Sequence, residues 1–238
     1  MNIKNLSAFY GKKQILKNID LSLEREKFTA LIGKNGSGKS TLLGCINGQV
    51  RYTGQILLNG RPIEEYPRRE RAKQIAFLPQ FFPATALTAE NLIALGRNPY
   101  VGLSGRLQKE DEKQIEEAIR LTGTQALRQR PVATLSGGER QKIYLAMLLA
   151  QDADILLLDE PTAHMDMGFT AEFLTLLRSL TENQGKTVLA VLHNLNDAVT
   201  HAHKLLLMNE GRLEDPERIE TVFGVQKIFY NETEYFYK

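Results

Sequence analysis

The chain has 238 residues, 42% of them hydrophobic and 24% charged, and a formal net charge of +2. This content is ample for a packed core, and the small net charge gives no reason to expect a nucleic-acid partner. The single cysteine, Cys45, excludes an internal disulfide framework and fits a reducing cytoplasm, and we expect its thiol to be buried and inert.

No stretch of the sequence approaches the ~20 consecutive apolar residues that span a bilayer. Residues 1–4 lack the apolar core of a secretory signal. We therefore expect a soluble chain that stays in the cytoplasm.

Short apolar runs alternate with helical patterns, which is typical of an α/β fold with a largely parallel sheet covered by helices. Strands are predicted, in chain order, at residues 2–9, 15–23, 28–32, 55–58, 74–78, 154–158, 187–192 and 204–208. The runs 155–158 and 188–192 are apolar throughout, as strands buried on both faces should be. The basic cluster 68–71 contains a glutamate, and we interpret it as a solvated helix face rather than a polyanion site.

Between residues 80 and 150 the strand pattern gives way to helical periodicity. Apolar or small side chains recur at i, i+3, i+4 and i+7 in an otherwise charged stretch: Ile115, Ala118, Ile119 and Thr122. Glycine and proline punctuate the loops of this stretch. The pattern predicts a helical insert within the α/β core.

A glycine-rich loop follows the apolar run 28–32. Residues 33–40 read Gly-Lys-Asn-Gly-Ser-Gly-Lys-Ser, and a helical segment comes next. In that context backbone N–H groups can surround a β-phosphate at a helix N-terminus, and Lys39 can reach the β- and γ-phosphate oxygens. The Ser40 hydroxyl can bind Mg²⁺. The loop therefore predicts a nucleotide site, and an ordinary glycine turn is the alternative.

Two carboxylates, Asp159 and Glu160, end the apolar run 155–158. Alone, such a pair is usually a strand end entering solvent. Beside a phosphate-binding loop, Asp159 suits an Mg²⁺ ligand and Glu160 can polarise the attacking water.

The segment Leu-Ser-Gly-Gly-Glu-Arg-Gln at residues 135–141 has the form of a capped helix start, because Ser136 can cap the helix and Glu139 stands three residues later. Such an end, opened by Gly137 and Gly138, exposes N–H groups to which a γ-phosphate can bind closely.

The order of these motifs resembles the ATP-binding cassette (ABC) ATPases, and the resemblance covers nearly the whole chain. It implies a P-loop NTPase fold with a RecA-like core sheet, an antiparallel β subdomain and a helical subdomain insert. A single domain would then span residues 1–238, with the core and β subdomain at 1–80 and 151–238, and with the helical subdomain and signature segment at 81–150.

The resemblance also implies a head-to-tail homodimer in which ATP lies at each of two interfaces, with Ser136, Gly137 and Gly138 acting on the partner's nucleotide. Gln80 matches a glutamine that contacts Mg²⁺ and water, and His193 matches a histidine that contacts the γ-phosphate. Taken alone, a histidine at a strand end is more often a satisfied polar residue. Tyr10 matches an aromatic that stacks on adenine, and we expect its neighbour Phe9 to face the core.

The predicted catalytic residues are therefore Glu160, His193 and Gln80, and the predicted Mg²⁺ ligands are Ser40, Gln80 and Asp159. The predicted nucleotide-binding residues are Tyr10, Gly33, Asn35, Gly36, Ser37, Gly38, Lys39, Ser40, Thr41, Ser136, Gly137, Gly138 and Asp166. Two departures from the family pattern stand out: Ala163-His164-Met165 precedes Asp166 where Ser and Leu are common, and Asn194 follows the histidine where Asp is common. Neither removes a catalytic group.

Gln80 and the segments 91–100, 192–198 and 223–225 look like the importer subfamily for ferric siderophores, haem and cobalamin. This resemblance implies an ATPase at the cytoplasmic face of the cell membrane that works through an integral membrane permease and, indirectly, a substrate-binding protein. We expect the permease to dock near Gln80-Phe81-Phe82 and residues 87–100, where apolar side chains are in excess. Importers of other chelates or oxyanions, and a soluble ABC ATPase, remain alternatives.

Overall fold

The computed structural model describes residues 1–81, 83–102, 105–163, 165–230 and 233–237. Phe82 of the predicted docking segment and His164 of the segment before Asp166 lie outside these residues. The helices are α1 (Lys39–Asn47), α2 (Arg68–Gln74), α3 (Ala89–Ala94), α4 (Lys109–Thr122), α5 (Gly137–Ala150), α6 (Met167–Gln184), α7 (Leu195–His201) and α8 (Ile219–Phe223). The strands are β1 (Asn2–Tyr10), β2 (Lys13–Ser22), β3 (Phe28–Ile32), β4 (Tyr52–Leu58), β5 (Arg61–Pro62), β6 (Ile75–Leu78), β7 (Ile155–Asp159), β8 (Thr187–Val191), β9 (Lys204–Asn209), β10 (Arg212–Glu214), β11 (Gln226–Tyr230) and β12 (Thr233–Tyr237).

The central sheet has six strands in the order β10-β9-β3-β8-β7-β6. All neighbours in it are parallel except β10, which pairs antiparallel with β9. Every residue of β3, β7 and β8 is buried, as the apolar runs predict. Because the carboxyl ends of parallel strands meet at one edge of a sheet, the loops after β3, β6, β7 and β8 lie together there.

A second, antiparallel sheet has the order β2-β1-β4-β5. Leu16, Ile19 and Ile56 from this sheet are buried with Leu42 of α1 and Leu31 of β3 in one apolar cluster. Cys45 of α1 belongs to the same cluster, so the prediction that it is buried is confirmed, and burial raises the pKa of its thiol to about 12.

The helical insert lies between β6 and β7 and contains α3, α4 and α5. The four periodic residues of α4, from Ile115 to Thr122, are all buried, as their spacing predicts. Arg97 is also buried here, and its guanidinium binds the Asp111 carboxylate at 2.9 Å and the Ala150 carbonyl at 2.9 Å. The basic cluster 68–71 lies in α2, none of whose residues is buried.

All eight predicted strands are present, and the largest boundary difference is in β4, which begins at Tyr52 rather than Gln55. The short strands β5 and β10 and the hairpin β11–β12 were not predicted. The prediction for Phe9 is wrong, because its side chain is 48% exposed. The pairing of β1 with β2 is irregular between Ala8 and Phe9, so the alternation of buried and exposed residues breaks at the end of the strand.

Candidate nucleotide-binding site

The glycine-rich loop joins β3 to α1 with its backbone pressed against β9. A Cβ atom at Gly33 would lie 2.2 Å from the Met208 carbonyl oxygen, so only glycine fits there. Gly38, at the N-cap of α1, has φ 111°, a conformation that other residues rarely adopt. The loop is further tied to the turn between β9 and β10, where the Gly211 N–H donates to the Ser37 carbonyl at 3.0 Å.

Lys39 begins α1 and is only 4% exposed. Its ammonium donates to the carbonyls of Gly33 at 2.8 Å and Lys34 at 3.1 Å. Burial lowers the pKa of Lys39, and the nearby charges of Glu160 and Asp159 oppose that effect. The ammonium therefore sits in the curve of the loop, where an incoming phosphate would meet it.

Asp159 is the last residue of β7 and lies next to the first turn of α1. The Ser40 hydroxyl donates to its carboxylate at 3.1 Å. Burial raises the pKa of Asp159, and the Glu160 charge adds to the rise. A hydroxyl and a carboxylate side by side form an all-oxygen donor set, which fits Mg²⁺; this ion usually takes one or two carboxylates and completes its shell with phosphate and water. Among the described residues no group of three or more His, Cys, Asp or Glu side chains could hold a metal ion.

Glu160 is held between two donors at the edge of the sheet. The Gln80 amide nitrogen, after β6, donates to one of its oxygens at 2.5 Å, and the His193 ring, after β8, lies 2.6 Å from the other. Glu160 itself has φ 51°, which is uncommon for a residue with a side chain and marks a specially constrained position. The three side chains predicted to be catalytic thus meet, because Gln80 and His193 both contact the Glu160 carboxylate.

A cleft of about 440 Å³ opens above the loop. Ten predicted residues line it: Tyr10, Asn35, Gly36, Gly38, Lys39, Ser40, Thr41, Gln80, Glu160 and His193. Tyr10 is 57% exposed at the rim, as stacking on a base requires. Two further lining residues, Lys13 and Ile15, were missed. Their signal is the turn at Gly11-Lys12, which folds β2 back so that Lys13 pairs with Tyr10.

Three further predicted residues do not line the cleft: Gly33, Ser37 and Asp159. Ser37 is buried, and its hydroxyl has no hydrogen-bond partner among the described residues. Ser37 holds the loop curved, since its N–H donates to the Lys34 carbonyl at 3.1 Å.

The residues assigned to the partner's nucleotide in the sequence analysis, Ser136, Gly137 and Gly138, do not line this cleft. Ser136 caps α5 by accepting from the Glu139 N–H at 3.3 Å, while the Glu139 carboxylate accepts from the Ser136 N–H at 2.8 Å, so the predicted capping box is confirmed. A Cβ atom at Gly137 or Gly138 would meet nothing within 4 Å, and neither glycine has a positive φ. The fold of the chain itself therefore does not require glycine at either position.

Asp166 is also outside the cleft and caps α6, accepting from the Phe169 N–H at 2.8 Å. It is exposed, and the next residue, Met167, is 91% exposed. No helix among the described residues is long and apolar enough to cross a membrane.

Comparison with known proteins agrees with this geometry. Residues 16–163 match the family model described as ABC transporter. A curated relative from Bacillus subtilis (strain 168), named as a siderophore transport system ATP-binding protein, YusV, is 39% identical over 234 residues, covering 96% of this chain and 85% of the relative.

Two solved structures share the fold. One, named as an inward-facing metal-chelate type ABC transporter, has a TM-score of 0.83 at 27% identity and covers 99% of this chain and 95% of its own. The other is the ATP-binding cassette MJ0796 as a dimer in a post-hydrolysis state with ADP and Pi, with a TM-score of 0.81 at 27% identity over 90% and 96% of the two chains. The chain belongs to the ABC transporter family as an ATP-binding subunit, and it is an ATPase.

Proposed function

We propose that this chain drives an importer of ferric siderophores by hydrolysing ATP beneath a membrane permease. The observation that carries the hydrolytic part is the placement of Glu160 between Gln80 and His193, beside a cleft that contains the phosphate-binding loop. The cargo is supported by the name of the Bacillus relative and by the metal-chelate type of the structural neighbour. Haem, cobalamin and other chelates are the alternative cargoes.

In the proposed reaction, the loop N–H groups and Lys39 hold the phosphates of ATP and neutralise their charge. Glu160 takes a proton from the attacking water, which is a general-base role that contributes about 10²–10⁴-fold in typical enzymes. Its fixed position, with a donor on each oxygen, keeps the carboxylate oriented toward the cleft.

We assign Mg²⁺ to Ser40, Asp159 and the amide oxygen of Gln80. When bound, the ion supplies charge neutralisation at the β- and γ-phosphates. The hydrogen bond between Ser40 and Asp159 already brings two of these ligands together.

The proposal of a homodimer rests on predicted nucleotide-binding residues that do not line the cleft. The fold does not require glycine at positions 137 and 138, and glycine is less favourable than alanine in a helix. Their role is therefore to leave the end of α5 open to a ligand from outside the chain. Asp166 and the exposed apolar Met167 fit a protein interface. We therefore assign Ser136, Gly137, Gly138 and Asp166 to the nucleotide of the partner chain.

The permease site is proposed at the insert, as its apolar excess predicts. Phe81 is 74% exposed and Leu95 is 43% exposed, whereas Leu92 and Ile93 are buried in the insert core. The exposed members form an anchoring surface for a short permease helix, through which a substrate-binding protein would act indirectly. Substitution of Phe81 and Leu95 by Ser should abolish permease binding and spare ATP binding; unchanged permease assembly would place the docking surface elsewhere.

The base assignment is tested with Glu160→Gln, which keeps the shape of the side chain and removes its charge. This variant should bind MgATP and form a long-lived dimer, while ATP hydrolysis falls by about two orders of magnitude or more. Glu172→Gln, on the exposed face of α6, is the matched control and should hydrolyse ATP normally. Near-normal turnover by Glu160→Gln would sink the assignment.

A further inference from the structure

The segment that carries His193 leads directly into α7. Leu192 is buried, His193 follows it, and α7 begins at Leu195 and ends at His201. A helix of seven residues is too short to be stable through its own hydrogen bonds. The position of its first turn, and of the His193 backbone before it, therefore depends on the groups that pack around it.

The inner side of α7 is fixed by its own cap and by the core. The Asn194 side chain accepts from the N–H groups of Asn196 at 2.9 Å and Asp197 at 3.3 Å. Ala198 is fully buried. These contacts orient the helix, which also packs against α6.

The C-terminal hairpin, β11–β12, packs against the same helix through β12. The Asn196 side-chain oxygen accepts from the Phe236 N–H at 2.7 Å, and its amide nitrogen donates to the Phe236 carbonyl at 3.3 Å. The amide thus pairs with one residue of β12 as a neighbouring strand would. The Phe236 ring is 7% exposed and lies in the main apolar cluster, and the Lys227 N–H of β11 donates to the Glu220 carboxylate of α8 at 2.7 Å.

We infer that Asn196 is a positioning residue, which uses the hairpin to hold His193 against Glu160. This inference rests on the proposed role of His193. Asn196 is three residues from His193, within the same turn of chain, so a shift at the start of α7 moves the imidazole away from its 2.6 Å contact. Loss of the Asn196 side chain also leaves the Phe236 N–H and carbonyl without this partner.

The test compares Asn196→Ala with Asn183→Ala, an exposed asparagine of α6 that serves as control. Because small misplacements at a reacting centre can lower rates by up to about 10²-fold, we expect Asn196→Ala to lower kcat about tenfold and to leave the ATP dissociation constant within about twofold. Amide hydrogen exchange should quicken in residues 195–201 and stay unchanged in β8. Asn196→Asp keeps the 2.7 Å acceptor and should lose less activity.

A double-mutant cycle with Phe236→Ala, which loosens the hairpin, should show that the two changes are not additive, because both release the same contact. His193→Ala separates the two hypotheses. Turnover retained by His193→Ala would overturn the role of His193 and this inference with it. If His193→Ala loses turnover but Asn196→Ala retains it, the inference about Asn196 alone is overturned. The same holds if the kcat of Asn196→Ala falls only in proportion to the fraction of protein that is folded. If Asn196→Ala does not fold, Asn196→Asp and Phe236→Ala decide.

Discussion

Replacement of Gly138 by Ala should have opposite effects on the fold and on the function. Gly138 is the second residue of α5, has no positive φ, and faces open space where a Cβ atom would be placed. Alanine is favoured over glycine within a helix by about 1 kcal/mol, and it also lowers the entropy of the unfolded chain. Because the first turn of a helix frays, we expect a gain of about 0.5–1 kcal/mol, or roughly 1–4 °C in Tm for a chain of this size.

In the proposed homodimer, the cost should fall on the nucleotide bound between the two chains. A methyl group at the end of α5 keeps a γ-phosphate from close approach to the helix N–H groups. We expect occlusion of ATP by the dimer to weaken at least about tenfold, which corresponds to about 1.4 kcal/mol. Calorimetry without nucleotide measures the first effect, and retention of radiolabelled ATP by the dimer of a Glu160→Gln background measures the second.

Gly123→Ala is the matched control, because this glycine also faces open space but has φ 62° at the end of α4. A left-handed conformation costs alanine about 1–2 kcal/mol, so this variant should melt earlier and occlude ATP normally. A lower Tm for Gly138→Ala would show that the fold itself needs the glycine. Unchanged occlusion would show that no ligand approaches it.

Three further outcomes follow from the site and the insert. Asp159→Asn should abolish hydrolysis yet raise the Tm without nucleotide, because burial raises the pKa of Asp159 and its ionised form therefore costs stability. The gain over wild type should be largest at a pH above the raised pKa and should shrink as the pH falls through it toward 3.8, the ordinary value of an aspartate; a gain independent of pH would contradict this cause. Arg97→Ala should lower the free energy of unfolding by about 3–5 kcal/mol in a denaturant titration, because it leaves the buried Asp111 carboxylate without its ion pair. Arg61→Ala, at an exposed pair, should lower it by less than about 1 kcal/mol, and equal losses would refute the argument. Tyr10→Ala should weaken ATP binding by about 1–3 kcal/mol in titration calorimetry without lowering Tm, and unchanged affinity would remove Tyr10 from the adenine site.

The parts of the site that the sequence predicts are those in which local chemistry and strand ends coincide. The loop 33–40 and His193 follow buried strands, and the pair Asp159-Glu160 lies at the end of another. Parallel strands bring such ends to one edge of the sheet. The capping box at Ser136 depends only on residues close together in sequence, so it too can be predicted from the sequence.

The parts that escaped prediction depend on contacts between distant segments or on local irregularity. Lys13 and Ile15 enter the cleft because of the register of an antiparallel pair, and Phe9 turns outward because that register is irregular. Asn196 and Phe236 are 40 residues apart, and an asparagine side chain that pairs with a backbone leaves no mark in the pattern of apolar residues.

Lys39, Glu160 and His193 in the cleft already have partners, so the proposed MgATP would replace some of these contacts rather than simply add new ones. Phosphate oxygens can take the Lys39 ammonium from the carbonyls of Gly33 and Lys34, and a bond to a charged acceptor is the stronger of the two. Mg²⁺ can take the oxygens of Ser40 and Asp159, and its charge offsets the burial of that carboxylate. If the His193 ring then rotates toward the γ-phosphate while its backbone stays in place at the start of α7, the Glu160 oxygen that it leaves gains a lone pair for the proton of the attacking water. The same movement would stabilise the phosphate and free the proposed base, while the Gln80 amide keeps its own contact with the other Glu160 oxygen.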